Sequence, residues 1–76
     1  MTLSPEEFRL LEFLIERHST VVTREELLQK VWGLHGDTLS RTVDVHIAGL
    51  RKKIEADSRY PKLLLTVKGI GYKLAI

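Results

Sequence analysis

Seventy-six residues, 43% of them hydrophobic, make one small domain, because a chain this short cannot bury two separate cores. Cysteine is absent, which excludes a disulfide framework and a thiolate zinc site, and no apolar run approaches the roughly 20 residues that span a bilayer. The formal charge is only +2 but is divided unevenly: residues 1–40 carry four basic against seven acidic side chains, net −3, and residues 41–76 carry eight against three, net +5. A cationic half suggests a polyanion as partner. The first residues lack the basic and then apolar order of a signal peptide, so the protein is expected to be cytoplasmic, soluble and free of membrane contact.

Ser4-Pro5-Glu6-Glu7 reads as a helix start: Ser4 caps, Pro5 sits where its missing N–H costs nothing, and Glu7 closes a capping box. This helix should run to about His18. Val21 and Val22, flanked by Thr20 and Thr23, form a short extended piece. Thr23-Arg24-Glu25-Glu26 then opens a second helix through Trp32, ended by Gly33 in the left-handed conformation. Residues 33–39 (GLHGDTL) have two glycines and no period, and read as a loop. A third helix follows, with Ser40 as its cap and its end near Ile54 or Ala56; Val43, Ile47, Leu50 and Ile54 form its core stripe. Asp57 to Lys62 is a polar turn. Leu63 to Lys68 and Tyr72 to Ile76 read as two strands around Gly69-Ile70-Gly71. The fold class is therefore α+β: three helices, a C-terminal β-hairpin, and a short strand that could pair with the hairpin, which is the order of a winged helix-turn-helix.

At about 100° per residue, turning the core stripe inward leaves Arg41, Val45, Ala48, Gly49 and Lys52 pointing outward on the third helix. Thr42, His46 and Lys53 lie along one flank, and Asp44, Arg51 and Glu55 along the other. An ordinary solvated face carries Glu and Lys rather than Val, Ala and Gly. A helix that enters a DNA major groove needs cations that reach phosphates or guanine edges and small side chains that permit close approach. Gly49 costs about 1 kcal/mol of helix stability relative to Ala, which argues for such an approach. On the hairpin, Lys68, Lys73 and Tyr72 are equipped for backbone and minor-groove contact, although Tyr72 could equally be a core aromatic. Arg51 could instead form a salt bridge to Glu55 at i+4.

Catalysis and metal binding find little support. His18, His35 and His46 show no metal-ligand spacing, Asp44 and His46 diverge on their helix, and Ser40 has no base and orienter. Gly69-Ile70-Gly71 is no dinucleotide loop, because Leu74 takes the place of the third glycine and a strand follows. No enzyme activity, metal or cofactor is expected.

Five stretches carry a family resemblance: LSPEEFRLL (Leu3 to Leu11), VTREELL (Val22 to Leu28), Val31-Trp32-Gly33, RTVDVHIAGLRKK (Arg41 to Lys53) and TVKGIGYKL (Thr66 to Leu74). In these the chain resembles the C-terminal DNA-binding domain of the OmpR/PhoB class of bacterial two-component response regulators, over nearly its whole length. The resemblance implies sequence-specific binding of double-stranded DNA for transcription regulation, with the third helix in the major groove and the wing in the minor groove. Carried over by position, the DNA contacts are Arg41, Thr42, Val45, His46 and Arg51, joined by Trp32 and, on the wing, Thr66, Lys68 and Tyr72; the outward reading of the helix adds Lys52. The resemblance also implies direct-repeat sites bound by head-to-tail pairs, and RNA polymerase contact through the loop of Leu34, His35, Asp37 and Thr38. A winged helix used as a protein-interaction module is the alternative.

Two departures stand out. Many family members carry arginine where this chain has Ala48 or Gly49, which implies fewer phosphate contacts. The family's usual N-terminal four-stranded sheet and the receiver domain before it are missing, so the chain reads as part of a longer response regulator. On the first helix Phe8, Leu11 and Ile15 make one apolar face, and Leu10, Phe13 and Leu14 widen the arc beyond half the circumference. The second face is expected to pack against that sheet and, left open, to favour self-association. Sedimentation should find a reversible dimer or larger species that binds a hydrophobic dye; a strict monomer that binds none refutes the expectation.

Overall fold

The computed structural model of the protein describes residues 2–34 and 40–76. In chain order its elements are α1 (Pro5–Glu16), β1 (Val21–Thr23), α2 (Arg24–Trp32), α3 (Ser40–Ile54), β2 (Leu64–Val67) and β3 (Gly71–Leu74). The capping box at the start of α1 is complete: the Glu7 amide donates to Ser4 Oγ at 3.2 Å and the Ser4 amide donates to Glu7 Oε1 at 2.8 Å. α1 stops at Glu16, short of the His18 expected from the sequence. Ser19 turns the chain at φ 63° and its amide leaves the helix to donate to the Leu74 carbonyl at 2.8 Å.

α2 starts and stops as its residues dictate. The Glu26 amide donates to Thr23 Oγ1 at 3.1 Å, and Gly33, at φ 68°, supplies the left-handed cap that a residue with a Cβ adopts only at a cost. α3 includes Ser40 as its first residue rather than its cap. The cap itself lies outside the described residues.

Three strands form one antiparallel sheet in the order β1-β3-β2. Val22 stands opposite Tyr72 and Thr23 opposite Gly71, while Leu64 faces Leu74 and Thr66 faces Tyr72. The hairpin strands are shorter than 63–68 and 72–76. Beyond Leu74 the chain bends toward the α1–β1 turn, where Ser19 Oγ donates to the Ile76 carbonyl at 2.8 Å.

The core lies where the three helices meet the inner face of this sheet: Leu10 and Leu14 of α1, Leu27, Leu28 and Val31 of α2, Val43, Ile47 and Leu50 of α3, and Val22, Leu64, Tyr72 and Leu74 of the strands. Complete burial of a leucine such as Leu10 contributes about 1.5 to 3 kcal/mol. Of the wide apolar arc on α1, the Leu10 and Leu14 side is the one turned inward. Phe8 and Ile15 are 57% and 47% exposed, and line an open apolar groove with Leu3 and Leu11. Among the described residues no helix is long and apolar enough to cross a membrane.

β1 reaches β3 only because Gly71 has no side chain. A Cβ built there falls 2.0 Å from the Val22 carbonyl oxygen and 2.9 Å from the Thr23 Cα, both backbone atoms. Gly71→Ala should therefore cost about 1 to 3 kcal/mol, the usual penalty of overpacking. Urea denaturation would measure it, and an unchanged midpoint would contradict the close approach.

Candidate nucleic-acid interface

α3 carries a different partner on each of its sides. Val43, Ile47 and Leu50 are buried, and Ile54 packs against the core they belong to. Directly opposite, Arg41, Val45, Ala48 and Lys52 face solvent, with Val45 66% exposed. An apolar side chain so exposed in mid-helix, flanked by the small Ala48, offers a contact surface. The two cations stand at the ends of this ridge, with the small residues between them.

One flank of α3 meets the other helices. The His46 ring lies 5.0 Å from the Trp32 ring, centroid to centroid, at a tilt of 56°. Its Nδ1 is 2.7 Å from the Thr42 carbonyl, which can only accept, so Nδ1 carries the proton and Nε2 is left to face a further partner. Gly49 is on this flank too, and here the structure corrects the sequence reading. A Cβ at Gly49 would fall 2.9 Å from Glu7 Oε2, so the residue admits the N-terminus of α1 rather than a ligand on the outward ridge. Glu7 is buried, and its other oxygen binds the Ser4 amide and Lys53 Nζ. Lys53, first, and the Ser4 amide hold the Glu7 carboxyl below its ordinary 4.5 despite burial.

The opposite flank is stitched to the wing. Arg51 makes no ion pair with Glu55. Its Nε donates to the Leu64 carbonyl at 2.9 Å, a terminal nitrogen donates to Thr66 Oγ1 at 2.7 Å, and the guanidinium lies 5.5 Å from the Tyr72 ring centre. Glu55 instead receives the amides of Lys62, Leu63 and Leu64 at 2.7 to 3.2 Å, clamping the approach to β2. Burial pushes its carboxyl up, but the three amides and Arg51 more than offset this and leave it below 4.5. Asp44 binds Arg24 through both carboxylate oxygens, at 3.0 and 2.8 Å, and accepts the Tyr72 hydroxyl at 2.7 Å.

These contacts sort the residues named from the sequence. Arg41, Val45 and Lys52 lie together on the open ridge, with Thr42, His46 and Trp32 half-buried along its edge. Lys68 is exposed in the wing turn, and Thr66 is exposed beside it while accepting from Arg51. Tyr72 is 6% exposed, a core aromatic with a tethered hydroxyl. Burial, first, and the Asp44 carboxylate raise that phenol above its ordinary 10.0. Leu34 is exposed just beyond the Gly33 cap, whereas His35, Asp37 and Thr38 lie outside the described residues. Sequence reasoning missed Arg24 and Asp44 as organising groups, and it gave Glu7 its place in the capping box but not its contacts with Lys53 and Gly49. The one available signal was that Asp44, Arg51 and Glu55 share a flank. Among the described residues, no group of three His, Cys, Asp or Glu side chains could hold a metal ion.

Comparison with known proteins gives a consistent answer. The family model described as "Transcriptional regulatory protein, C terminal" matches residues 1–74. The alkaline phosphatase synthesis transcriptional regulatory protein SphR of Synechococcus elongatus is 51% identical over 74 residues, which cover 97% of this chain and 29% of that protein. The chain spans about a third of the length of the curated relatives it matches. Among solved structures, the Klebsiella pneumoniae RstA DNA-binding domain in complex with the RstA box superposes with a TM-score of 0.89 at 34% identity, covering 97% of this chain and 73% of that one. The response regulator DrrB, a Thermotoga maritima OmpR/PhoB homolog, gives 0.86 at 39% identity, covering 97% and 33%.

The Glu55 clamp is open to direct measurement. Because its folded pKa is depressed, its contribution is complete above the ordinary 4.5 and is lost as pH falls through the lower folded value. Glu55→Gln should be less stable than the parent at pH 7, by on the order of 1 kcal/mol, since it loses charge-assisted bonds. The difference should shrink below pH 4.5. A gap in melting temperature that is constant from pH 7 to pH 3 would exclude the ionised clamp.

Proposed function

We propose that this chain, which belongs to the transcriptional regulatory protein C-terminal family of OmpR/PhoB type, binds double-stranded DNA sequence-specifically as the output domain of a two-component response regulator. The observation that carries this reading is the exposed ridge Arg41, Val45, Ala48 and Lys52 on α3 beside the exposed wing turn at Lys68. α3 enters the major groove and the wing the adjacent minor groove. Arg41 and Lys52 meet phosphates or base edges, Val45 meets base edges between them, and Thr42, His46 and Trp32 meet the backbone along one side. His46 is suited to this because its Nδ1 is held by Thr42, while its Nε2 has no hydrogen-bond partner among the described residues. Thr66 and Lys68 serve the minor groove. Arg51 and Tyr72 stand behind this surface and hold the helix and the wing in place.

The same proposal includes direct-repeat sites, a phosphorylatable receiver domain in the full-length regulator, RNA polymerase contact through the loop from Leu34 to Thr38, and action in the cytoplasm. The absence of arginine at Ala48 makes the affinity modest. A second reading, a winged helix that binds protein, draws on the apolar groove of Phe8 and Ile15.

A random-sequence duplex selection at near-physiological salt, followed by titration of the winner and of a scrambled duplex over a salt series, separates the two. A repeated half-site and a clear preference over the scramble are expected. Equal, weak and steeply salt-dependent binding to both duplexes would leave protein interaction as the better account. Arg41→Ala should weaken specific binding by roughly 1 to 3 kcal/mol if the side chain reads a base, and weaken all sequences alike if it holds a phosphate.

A further inference from the structure

The geometry points to Asp44 as the positioning residue that sets the angle between the reading helix α3 and the wing. This inference rests on the DNA-reading function proposed above, and it adds a residue that touches no DNA. Asp44 lies one turn beyond Arg41, next to Val45, on the flank of α3 that faces the sheet. Its carboxylate joins three elements at one point: α3 itself, the first residue of α2 through both nitrogens of the Arg24 fork, and the central strand β3 through the Tyr72 hydroxyl.

Two physical arguments give this junction a purpose. The first is charge. A carboxylate beside the ridge that meets a polyanion would repel phosphate if it stood alone, and Arg24 neutralises it in a two-point pair. The second is direction. Apolar packing of Leu50, Leu64 and Leu74 draws helix and sheet together, but burial is nearly indifferent to rotation. Charge-assisted hydrogen bonds are not, because they weaken steeply as their angles open. Arg51 and Glu55 fix the far part of the seam, on β2 and the approach to it. Among the described residues, Asp44 is the side chain that hydrogen-bonds the recognition half of α3 to β3, the strand that leads out of the wing turn. Without it the wing can pivot about the Arg51 end, and the two reading elements lose their common register on the duplex.

The chain has no cysteine, so one pair of spin labels can be placed cleanly, at Lys52→Cys on α3 and Lys68→Cys on the wing. Their distance distribution would be recorded on DNA-free protein for the labelled parent, Asp44→Asn and Tyr72→Phe. The second variant keeps the buried ring and removes only the hydroxyl, so it guards against a failure of Asp44→Asn to fold. Unlabelled proteins would be footprinted with hydroxyl radicals on the selected duplex, well below their melting temperatures. The expected result is one narrow distance in the parent and a broadened one in both variants at unchanged helix content. Asp44→Asn should bind about tenfold more weakly, the weight of one charge-assisted bond, and should lose protection on the wing side of the half-site while keeping it on the α3 side. Distributions as narrow as the parent's in both variants would overturn the inference. So would a loss of protection in equal proportion on both sides. A parent that leaves no footprint would refute the DNA reading instead, and the distance distributions would still decide the part played by Asp44.

Discussion

The amphipathy of α3 is the constraint on which the other parts of this domain depend. At 3.6 residues per turn its faces are fixed relative to one another, so one rotation of a fifteen-residue helix settles four matters together. Val43, Ile47 and Leu50 close the core, His46 and Lys53 meet α1 and α2, Asp44, Arg51 and Glu55 meet the wing, and Arg41, Val45, Ala48 and Lys52 are left for solvent or a ligand. A turn of the helix by one residue would bury a cation and expose a leucine. The apolar stripe therefore specifies the outward ridge, though it makes no contact with anything the ridge could bind.

The division of the cations follows from the same arrangement. Arg17 pairs with Glu26, Arg24 with Asp44, Lys53 with Glu7 and Arg59 with Asp57. Arg51 serves a carbonyl and a hydroxyl of the wing strand. Of the eight cations in the C-terminal half this leaves five: Arg41 and Lys52 on the ridge, Lys68 in the wing turn, Lys62 ahead of β2 and Lys73 on β3, so the set aimed at the ridge and wing turn is smaller than the count of eight implies. Exposed pairs such as Arg59 with Asp57 add little to stability. Those between elements matter more for what they orient.

Much of this was legible in the sequence, wherever the cause is local. The Ser4 and Glu7 capping box, the Thr23 cap and the left-handed Gly33 lie within a few residues of what they control, and all three stand where the pattern puts them. The element order and the pairing of the short strand with the hairpin followed from period and turn chemistry. Periodicity also gave the direction in which each side chain of α3 leaves the axis. It could not say what waits in that direction. Gly49 had the right angle for the outward ridge, but the start of α1 reaches it from forty-two positions earlier in the chain. Arg51 had Glu55 within reach at i+4, yet the edge of the sheet offered both of them backbone partners that no local rule includes. The broad apolar arc on α1 was plain, but which part of it faces inward depended on where α2 and α3 dock.

The pairing of β1 with β3 joins positions 21–23 to 71–73. Three helices and a hairpin can form from neighbours in sequence, whereas this ladder must close a loop of roughly fifty residues before it is rewarded. It should be the late event in folding. During synthesis, when the chain emerges from its N-terminal end, β1 has no partner until the final strand has left the ribosome. The helical scaffold is then made early and stays unsealed until β3 has emerged.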